Sequence, residues 1–424
     1  MLLFTNVTTQ AGKDLYVTVD GAYIKSITSE RPAGNFERII DCKDTLMLPG
    51  LYNTHTHAAM TLFRGYGEDL PLQRWLTERI FPAEEKLTAQ SVYTASMLAA
   101  AEMISAGIVS FTDMYMFPEE TARAVAETGM KANLCRPILS FDPDESIKDS
   151  ERLAEAMSLY NEWHNACDGR IKIDMSLHAE YTNTERSCRE TAEYAKSLGA
   201  NMHIHLSETK TEHEECKARH GGRTPACFMY DCGVFDSKTT AAHCVWLEDS
   251  DLPLLREKGV TVAHNPVSNL KLGSGVMPYR KYRDAGINVS LGTDGAASNN
   301  TLDVMKEMYV AALIHKGTSL APDSVTAADV LESATICGSR AQGRDDCGRL
   351  EPGCRADLIL IDTDSINNIP SYDPAYTAVY SANRSDVRLT MVDGKILYEN
   401  GEFMTLDIEK VKAEMRYTCA HYFD

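Results

Sequence analysis

Two textures of apolar and polar positions divide the chain. In its middle, short apolar runs take turns with longer stretches of helical character. The runs are "TLMLPGLYNTHTH", "GIVSFTDMY", "KANLCRPIL", "IKIDMSLHAEYT", "NMHIHLSET", "TTAAHCVWL", "GVTVAHNPVS" and "INVSLGTDGAAS". Between them lie segments such as "QSVYTASMLAAAEMISAG" and "ERSCRETAEYAKSLG", which predict helices. Short runs that are apolar without strict alternation fit strands covered on both faces. Eight such strands alternating with helices predict an α/β fold, a parallel (β/α)8 TIM-like barrel. The ends read differently. "LYVTVDGAYIKSIT" carries an Asp20-Gly21 hairpin signal, and "VRLTMVDGKILYENGEF" repeats the pattern around Asp393-Gly394. The two ends are expected to pair into one small β-sandwich, formed by residues 1–48 and 353–404. The barrel then spans 49–352, and 405–424 form a terminal helix.

The polar residues at the ends of the apolar runs change the picture from fold to chemistry. His57, Asp113, His178, His205, His243, His264 and Asp294 all fall at or near the C-terminal end of a run. In a parallel barrel those ends share one mouth, where active sites are built. His55 and His57 stand two apart, so on a strand their side chains face the same way. A catalytic zinc site takes nitrogen and oxygen ligands and keeps one position open for water. His55, His57, His205 and Asp294 supply such a set. His203 makes a second pair with His205 but is expected deeper in the barrel.

Composition narrows the partners. The 424 residues carry a formal charge of −19, which argues against a nucleic-acid backbone or an anionic membrane. The start, "MLLFTNVTTQAGKDLYV", lacks the basic and apolar parts of a signal peptide, and no run nears the ~18 apolar residues of a membrane span. Twelve cysteines are scattered without a CxxC pair, as expected of reduced thiols in a cytoplasmic protein.

Four motifs in order, "PGLYNTHTH", "HLSET", "AAHCVWL" and "SLGTDGAASNN", resemble the amidohydrolase superfamily, and within it the 5-methylthioadenosine/S-adenosylhomocysteine deaminases. The resemblance runs end to end. It implies one divalent metal, most often Zn2+ with Fe2+ or Mn2+ as alternatives, on His55, His57, His205 and Asp294. Two-metal members use a carboxylated lysine at the end of the fourth strand. Here that strand ends in His178, with Lys172 at its other end, so a single ion and a substrate contact at His178 are implied. Trp75 and Glu84 match positions that contact a nucleoside, Glu84 through vicinal hydroxyls. Arg136 matches a position linked to the amino-acid tail of adenosylhomocysteine, while a second arginine has no clear counterpart in "SFDPDESIKDSERLAE". Glu180 replaces a proline usual after that histidine and puts one more acid near the mouth. Homo-oligomers are common among such relatives.

These residues suit hydrolytic deamination of adenosine-type nucleosides. A metal lowers the pKa of bound water to about 7. Asp294 accepts a hydrogen bond from that water, and His243 orients it or shuttles its proton. Glu208 delivers a proton to the ring nitrogen beside the attacked carbon. The competing reading of Glu208 is an acid at a helix start, since "SET" suits one. His264 is open between bracing a loop and touching substrate. Three other functions remain to be separated: a free-base deaminase for guanine or cytosine, a triazine-type chlorohydrolase, and a non-catalytic scaffold.

Overall fold

Leu51–Thr56 is buried at every position, and so are Ile108–Met114, Met202–Leu206, Thr239–His243 and Thr261–His264. Strands buried on both faces need cover on both, which a filled barrel inside a ring of helices provides. A computed structural model describes residues 1–423 and arranges these strands, with Asn288–Leu291, as a parallel barrel. The third strand is Lys131–Cys135 continued by Pro137–Ile138, and the fourth is Ile171–Ile173 continued by Met175–Leu177. Proline 137 has no N–H to give the ladder, which accounts for the break beside it. Neighbouring strands pair in chain order, all in parallel register. The eighth returns to the first where Asp294 N–H donates to His55 O at 2.9 Å and Thr54 Oγ1 donates to Leu291 O at 2.8 Å.

The helices between strands start and stop on local signals. Ala89–Ser105 begins at Thr88, whose hydroxyl accepts from Ser91 N while the Ser91 side chain accepts from Thr88 N. Glu185–Leu198 repeats that box with Thr184 and Ser187 and ends at Gly199, where φ of +64° favours glycine.

The two β-rich ends of the chain meet. Thr45–Pro49 lies antiparallel to Leu358–Asp362, with Met47 opposite Leu360, and nine strands from both ends join in one hydrogen-bonded sheet. This unit has its own apolar core around Phe4, Val17, Met47, Leu358 and Leu389. It is tied to the barrel floor by buried Lys131, whose ammonium pairs with Asp357 and with Asp393 of the hairpin turn. Ile408–His421 forms the final helix, capped by Asp407, and buries Val411 and Met415. No helix among the described residues is long and apolar enough to cross a membrane.

Where the barrel closes there is no room for a side chain at Gly292. A Cβ there would sit 2.4 Å from Asn265 Oδ1 and 2.9 Å from His55 N. Overpacking of this kind costs about 1–3 kcal/mol. Gly292→Ala is therefore expected to lower the melting temperature and to weaken metal retention, because the strain falls on the backbone that carries His55. Calorimetry and metal analysis of the purified variant check both.

Candidate active site

The strand ends bring the predicted polar residues together. His57 directly follows the first strand, His205 is next to last in the fifth, His243 ends the sixth, and Asp294 lies three residues past the eighth. The chain takes left-handed backbone at Ser207 (φ +47°), His243 (+72°) and Asp294 (+59°). Such conformations cost a side-chain-bearing residue about 1–3 kcal/mol each and gather where function needs them.

Each imidazole uses one nitrogen to fix its ring and turns the other inward. His57 Nδ1 meets Met114 O at 2.6 Å, and His205 Nδ1 meets His178 O at 2.8 Å. His55 Nδ1 lies 2.9 Å from His203 Nε2, so His203 braces a ring from below, where sequence order had set it. The inward atoms are spaced evenly: His57 Nε2 to His205 Nε2 is 3.4 Å, and Asp294 Oδ1 is 3.4 Å from His55 Nε2 and 3.2 Å from His57 Nε2. His55 Nε2 is fully buried without a hydrogen-bond partner. Atoms held tetrahedrally ~2.0–2.1 Å from a zinc ion lie ~3.3 Å from one another. The spacing, the orphaned nitrogen and the N/O donor set fit a divalent ion. Such outer bonds are how proteins orient ligating histidines.

Electrostatics agree for most of the set. Burial pushes His55 down to about 3 and His205 well below its usual range, keeping both rings neutral and able to ligate. Asp294 is driven the other way: burial alone would raise it, but the imidazoles of His55 and His57 beside it hold the carboxyl well below the usual range. Burial also lowers His57, yet the bond and charge of Asp294 outweigh it and lift that ring to about 9. A cation held between them would take the place of that proton. Ser268 and Ser298 both donate to Asp294 Oδ2 at 2.7 Å, which leaves Oδ1 for the cluster.

Glu208 is not the capping acid of the helix that follows it. Lys210–Arg219 is capped by Thr209, and the carboxylate of Glu212 accepts from the backbone N–H groups of Ser207, Glu208 and Thr209. Glu208 is thereby free to line the cavity, its Oε2 3.9 Å from His243 Nε2. Burial raises its carboxyl above the ordinary value, as suits a group that must carry a proton. His243 is held through Nδ1, 2.9 Å from Asn269 Oδ1.

One cavity of about 530 Å³ joins this cluster to the residues read as substrate contacts. Trp75, at the end of the Leu72–Trp75 turn, and Glu84, at the end of Phe81–Glu84, form one wall. Tyr115 donates to Glu84 Oε1 at 2.7 Å, and burial raises the Glu84 carboxyl. His178 lines the opposite part, neutral because burial pushes it down to about 4, with Nδ1 3.2 Å from Thr182 Oγ1. Arg136 reaches the cavity as well; its Nε pairs with Glu155 and its Nη1 is buried without a partner. A larger polar depression of about 890 Å³ lies on the β unit and contains none of these residues.

Three expectations change. Arg152, inside the segment where no second arginine stood out, lines the cavity beside Arg136; it sits in the second turn-forming position of Glu151–Trp163, a placement no local motif signals. Glu180 does not face the mouth. It is buried against Arg219, at 2.5 Å, and His220, at 2.7 Å, because a carboxylate can be buried only with partners. Glu180, His220 and Cys216 form another group of metal-binding types, but hydrogen bonds close it, in contrast to the open spacing around His55. His264, open between two roles, serves the fold: it contacts His315 at 3.1 Å and does not line the cavity. Asp113 likewise serves the backbone, accepting from Ala58 N at 2.6 Å.

Residues 46–397 match the amidohydrolase family. The chain is 45% identical over 405 residues to a 5-methylthioadenosine/S-adenosylhomocysteine deaminase of Acetivibrio thermocellus, covering 95% of this chain and 93% of that one. It is 46% identical over 378 residues to a 5'-deoxyadenosine deaminase of Methanosarcina mazei, covering 89% and 87%. Among solved structures, a zinc-bound adenosine deaminase from Xanthomonas campestris superposes with a TM-score of 0.94 at 30% identity, over 100% of this chain and 98% of the other.

Proposed function

The chain belongs to the amidohydrolase family, and from that premise we propose that it is a one-metal hydrolase that deaminates adenosine-type nucleosides to the inosine-type product and ammonia. The observation that carries the reading is a single cavity lined by His57, His205 and Asp294, with His55 buried against them, and by the Glu84 carboxylate. His55, His57, His205 and Asp294 would hold one divalent ion, Zn2+ by preference, which supplies water ionisable near neutral pH. Lys172 supports a single ion, since its ammonium bonds Gly343 O at the far end of the fourth strand and cannot bridge a pair.

The protein's own groups divide the remaining work. Asp294 accepts a hydrogen bond from the attacking water, and Nε2 of His243 orients that water toward the amino-bearing ring carbon. Glu208 gives its proton to the neighbouring ring nitrogen, which makes that carbon electrophilic. The proton that the water gives up passes by way of Asp294 and His243 to the amino group, which leaves as ammonia as the C–N bond breaks. The hydroxyl proton of the adduct returns to Glu208 as the carbonyl forms. Trp75 covers the base, Glu84 accepts from the sugar hydroxyls, and His178 lies over the substrate. Two packed layers in the β unit, and the division at residues 48, 352 and 404, belong to the same proposal.

Arg136 and Arg152 favour substrates with a carboxylate on the 5′ substituent, where two guanidinium groups can share it. Replacing both by alanine is expected to lower kcat/KM for adenosylhomocysteine by about 10- to 100-fold. Activity on 5′-deoxyadenosine should stay within about threefold. Equal losses on both would remove the arginines from tail recognition. The function as a whole is tested by ammonia release from adenosine, 5′-modified adenosines, adenine, guanine, cytosine and a chlorotriazine. Turnover confined to the nucleosides supports it; turnover of a free base or the triazine instead would keep the metal site and end the role given to Glu84.

A further inference from the structure

We propose that Ser274 is the positioning residue for Glu208, fixing which carboxylate oxygen exchanges the proton; the proposal rests on the acid/base role given to Glu208 above. Ser274 Oγ donates to Glu208 Oε1 at 3.0 Å, and both residues are buried. A carboxylate oxygen engaged by a donor is the poorer place for a proton. The proton therefore belongs on Oε2, the oxygen that lies toward His243 Nε2 at 3.9 Å. Without the bond the carboxyl group can rotate and exchange its two oxygens, and the productive arrangement becomes one among several.

Ser274 can serve this purpose because its backbone is itself held at two points. Its N–H donates to Asn269 O at 2.8 Å, and its carbonyl accepts from Trp246 Nε1 at 2.8 Å. Glycines stand on either side, Gly273 at φ +68° and Gly275 at φ +128°. A Cβ at Gly275 would lie 3.0 Å from Val245 Cγ1 and 3.4 Å from Trp246 Cζ2, so the chain passes close against the end of the sixth-strand loop. The anchor Asn269 is the same residue that holds His243. The helix Pro266–Lys271 and the loop after it thus set the acid and the water-orienting histidine relative to each other. Ser268, on that helix, treats Asp294 alike by occupying Oδ2 and leaving Oδ1 for the cluster.

The test is a double-mutant cycle on the Zn2+-loaded protein with adenosylhomocysteine, or the best nucleoside of the panel. Ser274→Ala is expected to lower kcat by about 10- to 100-fold, as removal of a bond to an ionisable group does, with KM within threefold. Metal content and melting temperature should match those of the unmodified chain. In the Glu208→Gln background the same change should cost less than twofold, because Ser274 acts only through Glu208. An equal loss in both backgrounds, or Ser274→Ala within twofold of the unmodified protein, would overturn the proposal while leaving the role of Glu208 intact. Full activity of Glu208→Gln alone would instead overturn the acid/base reading and, with it, this one.

Discussion

Glu208→Gln is expected to reduce kcat by about 10^3-fold, the middle of the range that one general acid contributes, with little change in KM. The substitution keeps the volume of the side chain and its acceptor toward Ser274 Oγ, so the protein should fold and load metal as before. What it removes is the exchangeable proton. The argument rests on placement: Thr209 and Glu212 take over the helix start, so nothing in the fold requires a carboxyl at 208. A buried acid with no structural duty is costly unless chemistry uses it. Steady-state kinetics of the purified variant decide the point, and a loss below tenfold would contradict it.

Asp294→Ala is expected to abolish measurable turnover, a loss of at least about 10^3-fold, together with most of the bound metal. Asp294 Oδ1 is the only carboxylate oxygen within 3.4 Å of both His55 Nε2 and His57 Nε2 among the described residues. Under the proposed function its loss removes both a ligand and the acceptor for the attacking water. It also removes the negative charge that does most to lift the His57 ring to about 9. A non-catalytic scaffold would keep its binding partners through such a change, whereas metal analysis and activity should here fall together. Retained metal with lost activity would confine Asp294 to the chemistry; retained activity would remove it from the site.

The sequence made the barrel and its mouth readable for a physical reason. Buried parallel strands leave short apolar runs, and residues that close such runs, as His57, His205 and His243 do, must share one face. The paired ends were legible through their Asp-Gly turns, seen between Gly12–Asp20 and Tyr23–Thr28 and between Val387–Val392 and Lys395–Glu399. What stayed hidden depends on side chains that meet only in three dimensions. Arg152 lies 16 residues beyond Arg136 on a helix with no motif of its own, and its approach to the cavity follows from how Glu151–Trp163 packs. Glu180 was misplaced because its position beside His178 says nothing of Arg219 and His220, some 40 residues on. Ser274 carries only a hydroxyl between two glycines, a pattern shared by many loops.

The most direct measurement is ammonia release from adenosylhomocysteine and 5′-deoxyadenosine while the metal-free chain is titrated with Zn2+. Activity should rise in proportion to added metal, reach its plateau at one equivalent per chain, and yield the inosine-type product. No ammonia from any adenosine derivative at full loading, or a plateau reached only at two equivalents, would contradict a one-metal nucleoside deaminase built on His55, His57, His205 and Asp294.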